Sequence, residues 1–359
     1  MSESKAKQCE FNLIKSWISA SKPFLKASVK SITDLKVDGF PAYYSVNAIA
    51  KHNDDEHVVH IMDHKQNEKY IYRLNLKNNR AFATGEDTLT RSLISKNGIV
   101  LATKYDEDGS AVLIDGEKKA NINVSVISEE CKNGWCTANR FIQHRGDDIY
   151  YRDVYDRLHT LKWSDIEAGN YSPEQVVVAN NVQDFSMSQD GVGVLNTNGK
   201  LKLPCDTPFN LNSVSAEAKW TNLDKVANHW IATGGLNDTA ILASVGPRGH
   251  FRSSLELQLT RNRYKTASHP RIYCLRPAFE RRGRAVILAI ERDGVCHLVG
   301  MTARGRLATV TRLSNMADRG REYAMPNYEV VLCVSDDGVE GEFVLGGYCW
   351  MKKLALKLN

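Results

Sequence analysis

Residues 182–203, VQDFSMSQDGVGVLNTNGKLKL, read as three short strands joined by two tight turns. Apolar and polar residues alternate as on a half-buried strand, and Asp190-Gly191 and Asn198-Gly199 supply the positive φ that two-residue hairpins need. The same strand–acidic turn–strand–turn–strand pattern recurs along the chain, with acidic turn residues at Asp55, Asp108, Asp148, Asp190, Asp238, Asp293 and Asp337. That makes seven units, with successive turns 40–55 residues apart and a mean gap of 47. Each unit shows three strands, and the stretches between units, such as Ala81–Leu93, leave room for a fourth. A lone sheet of this size leaves an apolar face in water, so a chain made of such units must stack them.

Radial stacking of twisted four-stranded sheets buries both faces of each and shields the edges. A repeat of roughly 40–50 residues is the length of one propeller blade. The expected fold is therefore all-β: a single seven-bladed β-propeller over residues 37–359, preceded by a short extension over residues 1–36. The strand–Asp-Gly–strand rhythm and the count of units resemble the β-propeller superfamily, and most nearly its degenerate WD-repeat members. Gly-His and Trp-Asp signatures are missing from almost every unit, so the resemblance is to the propeller more than to the WD repeat. Two β-sandwiches, which also contain many short strands, are the alternative. The extension, which carries the apolar run Glu10–Ile18, either adds a strand to the last blade or lies as a short helix across one face. Helical periodicity is otherwise weak, with Phe11–Ile18 and Ser164–Ala168 the only short candidates.

With 42% apolar and 25% charged residues in 359, the chain is neither collagen-like nor disordered as a whole. No apolar stretch reaches the length of a membrane helix, and MSESKAKQCEF lacks the layout of a signal peptide. Eight cysteines are present without a C-x-x-C pair. Cys274, Cys296, Cys333 and Cys349 have mostly apolar neighbours and read as small core residues, while Cys131 and Cys136 are too far apart for a zinc knuckle. A reducing compartment, cytoplasmic or nuclear, is the expectation, and the sequons at Asn123, Asn170 and Asn237 do not alter it.

Catalytic motifs are missing. There is no P-loop, no H-E-x-x-H and no G-x-S-x-G elbow, and Gly191 and Gly193 sit in a hairpin rather than at a helix start. His52, His57, His60 and His64 would share a face only on a helix. Val58, Val59 and Ile61 favour a strand, where His60 and His64 stand about 13 Å apart, too far to chelate one ion. These histidines are expected at the surface or at an edge, with no metal bound. The acidic pairs Asp54-Asp55, Asp147-Asp148 and Asp336-Asp337 fall on hairpin positions and read as turn caps, all on equivalent hairpins. No cofactor and no catalytic residue is expected.

Charge is uneven. Residues 250–322 hold 15 Lys and Arg against 6 Asp and Glu, a net +9 within a chain of net +5. Arg276, Arg281, Arg282, Arg284, Arg304 and Arg306 form its densest part and are the candidate binding residues, expected on one exposed rim of the sixth unit. Clustered guanidinium groups grip phosphates and carboxylates two oxygens at a time. The run Phe279-Glu280-Arg281-Arg282-Gly283 resembles the Phe-Arg-Arg-Gly motif of phosphoinositide-binding propellers, with Glu280 inserted. That resemblance implies that Arg281 and Arg282 project into two headgroup pockets. The competing reading pairs these arginines with acidic groups of neighbouring units.

Three functions follow in order. The first is a non-catalytic intracellular scaffold or complex subunit that binds other proteins, as the resemblance implies for degenerate propellers. The second is a polyanion binder taking phosphoinositide or nucleic-acid phosphates on the arginine rim. The third is a propeller enzyme acting on a sugar, lactone or peptide in the central channel.

Overall fold

In the computed structural model, the described residues are 24–53, 55–87, 93–96, 99–103, 110–113, 119–124, 142–152, 156–170, 176–205, 207–236, 239–258, 272–291, 295–313, 330–334, 338–347 and 350–359. Among them, 28 strands form seven four-stranded sheets. Strand β1 (Ala27–Asp34) comes first. One sheet then holds β2 (Tyr44–Lys51), β3 (Glu56–Asp63), β4 (Glu68–Asn75) and β5 (Arg80–Asp87). The next holds β6 (Leu93–Lys96), β7 (Ile99–Thr103), β8 (Ser110–Leu113) and β9 (Lys119–Val124). A third holds β10 (Ile142–Arg145), β11 (Asp148–Arg152), β12 (Leu158–Lys162) and β13 (Val176–Ala179), with a short helix α1 (Trp163–Glu167) after β12.

The fourth sheet holds β14 (Val182–Ser188), β15 (Gly191–Asn196), β16 (Lys200–Lys202) and β17 (Phe209–Asn210). The fifth holds β18 (Lys219–Val226), β19 (His229–Leu236), β20 (Thr239–Val245) and β21 (Phe251–Gln258). The sixth holds β22 (Ile272–Arg281), β23 (Arg284–Glu291), β24 (Cys296–Met301) and β25 (Leu307–Arg312). The last holds β26 (Val330–Val334), β27 (Glu340–Gly347) and β28 (Trp350–Leu358), and β1 pairs with β28 as its outer strand.

Each sheet is an antiparallel meander, and the first strand of each touches the first strand of the next, with β26 returning to β2. This is a β-propeller. Its core consists of apolar layers between adjacent sheets. Leu195, Leu201 and Leu211 of the fourth sheet meet Trp220, Ala232 and Ile241 of the fifth. Leu242 and Leu257 of the fifth meet Ile287 and Met301 of the sixth. Where sheets approach closely the residue is small: a Cβ on Gly193 would lie 2.6 Å from Cη2 of the buried Trp230 ring. The helix expected over Ser164–Ala168 is present as α1, with Trp163 and Ile166 buried. The candidate helix Phe11–Ile18 lies outside the described residues.

The N- and C-terminal strands are joined. β1 runs antiparallel to β28 from Ala27↔Leu358 to Asp34↔Lys352, and Lys352 Nζ meets Asp34 Oδ1 at 3.3 Å. Of the two alternatives for the N-terminal extension, Ala27–Asp34 takes the strand. Leu25 and Ala27 pack into the same cluster as Leu354, Leu356 and Leu358.

The acidic turns are not all equivalent, which corrects one expectation. Asp55, Asp148 and Asp190 stand at the first hairpin of their sheets. Asp108, Asp238, Asp293 and Asp337 lie outside the described residues, but in sequence the first three follow the second strand of their sheets and Asp337 follows the first. Asp-Gly pairs serve any tight turn, so the signal marks a hairpin without saying which one.

The histidines correct another. His57 and His60 are buried on β3, at 1% and 0% exposure, because both faces of this strand are covered by neighbouring sheets. His64 is exposed, as expected, and His52 half-buried, with His52 Nδ1 lying 2.5 Å from Ser95 Oγ and His64 Nε2 3.1 Å from Ser45 Oγ. Among the described residues no group of three or more His, Cys, Asp or Glu is placed to hold a metal ion. Of the cysteines read as core residues, Cys296 is buried on β24. No helix among the described residues is long and apolar enough to cross a membrane.

Candidate functional site: an arginine rim on the fifth and sixth sheets

The β22–β23 hairpin closes on Arg282 and Gly283, whose φ values of 52° and 76° define a two-residue turn with both central residues left-handed. Arg281 and Arg284 face each other as the closing pair of that turn. Two strands later, Thr302–Arg306 makes the β24–β25 turn. Thr302 N–H donates to the Arg306 carbonyl at 3.0 Å, and Gly305 N–H donates to the Thr302 carbonyl at 2.9 Å. The first and third connections of a meander lie at the same end, and here they touch: a Cβ on Gly283 would sit 3.5 Å from Ala303 Cβ. Arg281, Arg282, Arg304 and Arg306 are exposed and Arg284 is half-buried. Five of the six arginines singled out from the sequence therefore gather on one rim.

Arg276 does not join them. It lies five residues before Arg281 on β22, about 16 Å away along an extended strand. Its guanidinium reaches the buried Asp224 carboxylate of β18 at 3.5 Å. For Arg276 the inter-sheet pairing expected as the competing reading is what occurs. The run Phe279–Gly283 also divides its roles. Phe279 is buried, and Glu280 Oε1 accepts the Ala227 N–H at 2.6 Å, tying this hairpin to the β18–β19 turn of the neighbouring sheet. Glu280 thus turns its charge towards a backbone donor.

The β24–β25 turn is seated on the fifth sheet. Ser253 Oγ of β21 donates to the Gly305 carbonyl at 2.9 Å and accepts the Leu307 N–H at 3.0 Å. Gly305 has φ of 81°, and a Cβ there would lie 2.6 Å from His229 Nε2, so glycine is required by both backbone and space. The His229 ring hydrogen-bonds the Arg304 backbone. Burial, then the charges of Lys225 and Arg252, push its pKa down to about 4. Lys225 is also held below the usual lysine range by burial, with Asp190 and Glu280 pulling the other way, and its Nζ stands 5.0 Å from the centre of the Trp230 ring.

Three basic residues at this end were not singled out by the sequence reading: Lys225, Arg248 and Arg252. Arg248 and Arg252 flank the β20–β21 turn and are exposed. Their signal was the Gly-Pro-Arg-Gly turn between two apolar runs, which places both beside a hairpin end. Of the remaining arginines of the basic segment, Arg312 ends β25, and Arg261, Arg263, Arg271, Arg292, Arg319 and Arg321 lie outside the described residues.

A β-propeller bearing an arginine-lined rim is the class that fold and site define. No family model matches the chain, and no curated protein sequence matches it. Among solved structures, a chain of the S. cerevisiae assembly of a Dbp5 variant bound to Nup159, a Gle1 variant, IP6 and ADP superposes with a TM-score of 0.55 at 9% identity, covering 94% of this chain and 96% of that one. The Dos1 propeller aligns with a TM-score of 0.47 at 11% identity, over 86% of this chain and 77% of that chain. A chain of a nidogen–laminin complex aligns with a TM-score of 0.38 at 11% identity, over 58% of this chain and 79% of its own. At such identities the likeness is one of fold alone.

Proposed function

We propose that this chain is a non-catalytic, seven-bladed propeller of degenerate WD-repeat type that serves as an interaction scaffold, docking an acidic segment of a partner protein on its arginine rim. Each four-stranded sheet is read as one blade. The observation that carries this reading is the contact between the Gly283 and Ala303 turns, which gathers Arg281, Arg282, Arg284, Arg304 and Arg306 at one edge. Guanidinium forks match carboxylates in pairs, and clustered positive charge speeds the encounter with an acidic partner.

A second reading gives the same rim to phosphates of a phosphoinositide or a nucleic acid. It is favoured by Glu280, whose Oε1 already accepts the Ala227 N–H of the neighbouring sheet. The test is titration with a fluorescently labelled poly-glutamate peptide, in parallel with phosphoinositide-containing vesicles. Poly-glutamate should bind, and binding should weaken as salt is raised. Replacing Arg281, Arg282 and Arg304 together by glutamate should abolish it while shifting Tm by only a few degrees. Unchanged binding, or collapse of the fold in the triple variant, overturns the proposal. Vesicle binding without peptide binding assigns the rim to phosphates instead.

A further inference from the structure

Beside the arginines, on the same end of the fifth sheet, stands an exposed aromatic. Phe251 is 43% exposed, one of few large apolar side chains left in water among the described residues. It stacks on Phe209 of the fourth sheet, with ring centres 6.1 Å apart and planes 7° from parallel. The backbone makes this placement. Val245 pairs with Phe251 and Ser244 with Ser253, so Arg252 is the extra residue of a bulge. A bulge reverses the alternation of side chains. Phe251 therefore turns to the fourth sheet while Ser253 turns to the sixth and holds the Arg304–Arg306 turn through Gly305 and Leu307. Arg252 lies between the two. Phe251 and the Ser253 that seats the arginine turn are thus two strand residues, some 7 Å of backbone, apart.

Resting on the rim-docking reading, we infer that the acidic segment taken by the rim carries an aromatic or large apolar side chain, which seats on the Phe251–Phe209 pair while its carboxylates meet Arg252, Arg304 and Arg306. Aromatic and arginine residues together are the composition of interface hot spots. Charge selects an acidic partner, and an extended segment of about six residues reaches some 20 Å, several times the spacing between Phe251 and Ser253. An apolar anchor flanked by carboxylates satisfies both features, whereas a uniformly acidic chain leaves the exposed ring uncovered.

The experiment compares three probes by fluorescence anisotropy: a short Asp/Glu peptide with one central Phe, the same peptide with Ala there, and single-stranded oligothymidine. The Phe peptide should bind about tenfold more tightly than the Ala peptide, the scale of one hot-spot contact. Phe251→Ala should erase that difference without changing affinity for the Ala peptide, and Phe251→Leu should restore part of it. Equal binding of the two peptides, or a Phe251→Ala variant that keeps the difference, overturns the anchor and leaves the rim reading standing. Failure of both peptides to bind overturns the rim reading and this inference with it. Oligothymidine binding more tightly than either peptide, and depending on Phe251, overturns the acidic-peptide occupant, because the ring then serves base stacking.

Discussion

Deleting Leu354–Asn359 is expected to unfold the entire chain rather than to fray its last strand. β28 is hydrogen-bonded on both sides, to β27 from Glu340↔Lys357 to Gly347↔Trp350 and to β1 from Ala27↔Leu358 to Asp34↔Lys352. Leu354, Leu356 and Leu358 are buried at 0%, 0% and 7% exposure in the layer shared with Phe279, Val286 and Leu298 of the preceding sheet. Burial of each leucine contributes about 1.5–3 kcal/mol. Losing three is comparable with the roughly 5–15 kcal/mol that separates a folded domain from its unfolded chain. The loss does not stay local, because without the end of β28 the first residues of β1 lose their partner and the ring opens. Circular dichroism melting of the truncated chain should show no cooperative transition near that of the full chain. A truncated protein that melts with the same midpoint and steepness would remove the terminus from the ring.

Acidification from neutral pH to about pH 4 should lower the melting temperature steadily, beginning near pH 6.5. His57 and His229 both have pKa values lowered to about 4, in each case by burial first and by neighbouring positive charge second, Lys51 for His57 and Lys225 with Arg252 for His229. An unfolded histidine takes up its proton near pH 6.5. Between that pH and about 4 the unfolded chain binds more protons than the folded one, so stability falls as pH falls, and it is fully present only above the unfolded value. After allowance for solvent screening, the two sites together supply about 2–4 kcal/mol of this loss. Burial also lowers His52, His64 and His144 and adds in the same direction. A His57→Gln, His229→Gln double variant should show a flatter dependence of Tm on pH between 7 and about 4. A double variant with the same slope as the parent would place the acid sensitivity elsewhere.

The strands, the tight turns and the all-β class were legible in the sequence because they are local. Alternation with period two and the Asp-Gly and Asn-Gly turns act over a few residues, and the 182–203 run reproduces β14, β15 and β16 with their two turns. Fourth strands were placed only loosely, as β5 (Arg80–Asp87), which starts before the expected Ala81–Leu93 stretch and fills half of it, illustrates. Which strand of a unit was missing from view also varied. Residues 182–203 show the first three strands of their sheet, whereas residues 285–313 show the last three, β23 to β25, and leave β22 in the stretch before. β22 hides because Arg276 and Pro277 break its apolar run, and its alternation is interrupted by register shifts at Ile272/Cys274 and Pro277/Phe279.

The arginine rim was half legible. Five arginines of two turns could be put at the same end of one sheet, since a meander brings its first and third connections together whatever its environment. Arg276 could not be separated from them, because its partner Asp224 lies 52 positions earlier in the chain and meets it only when β18 and β22 become neighbours in the ring. Arg248, Arg252 and the Phe209–Phe251 stack were hidden for the same reason: they belong to the two sheets before the arginine-rich unit, and nothing in local pattern links a residue to the sheet packed beside it. Likewise the burial of His57 and His60 depended on both faces of β3 being covered, although their strand was correctly placed. The sequence by itself therefore determined the class of element, the turn chemistry and the repeat. Only the tertiary structure decided which sheets are neighbours, how β1 joins β28, and which charges face one another, because those are contacts between residues far apart in the chain that radial packing alone brings within reach.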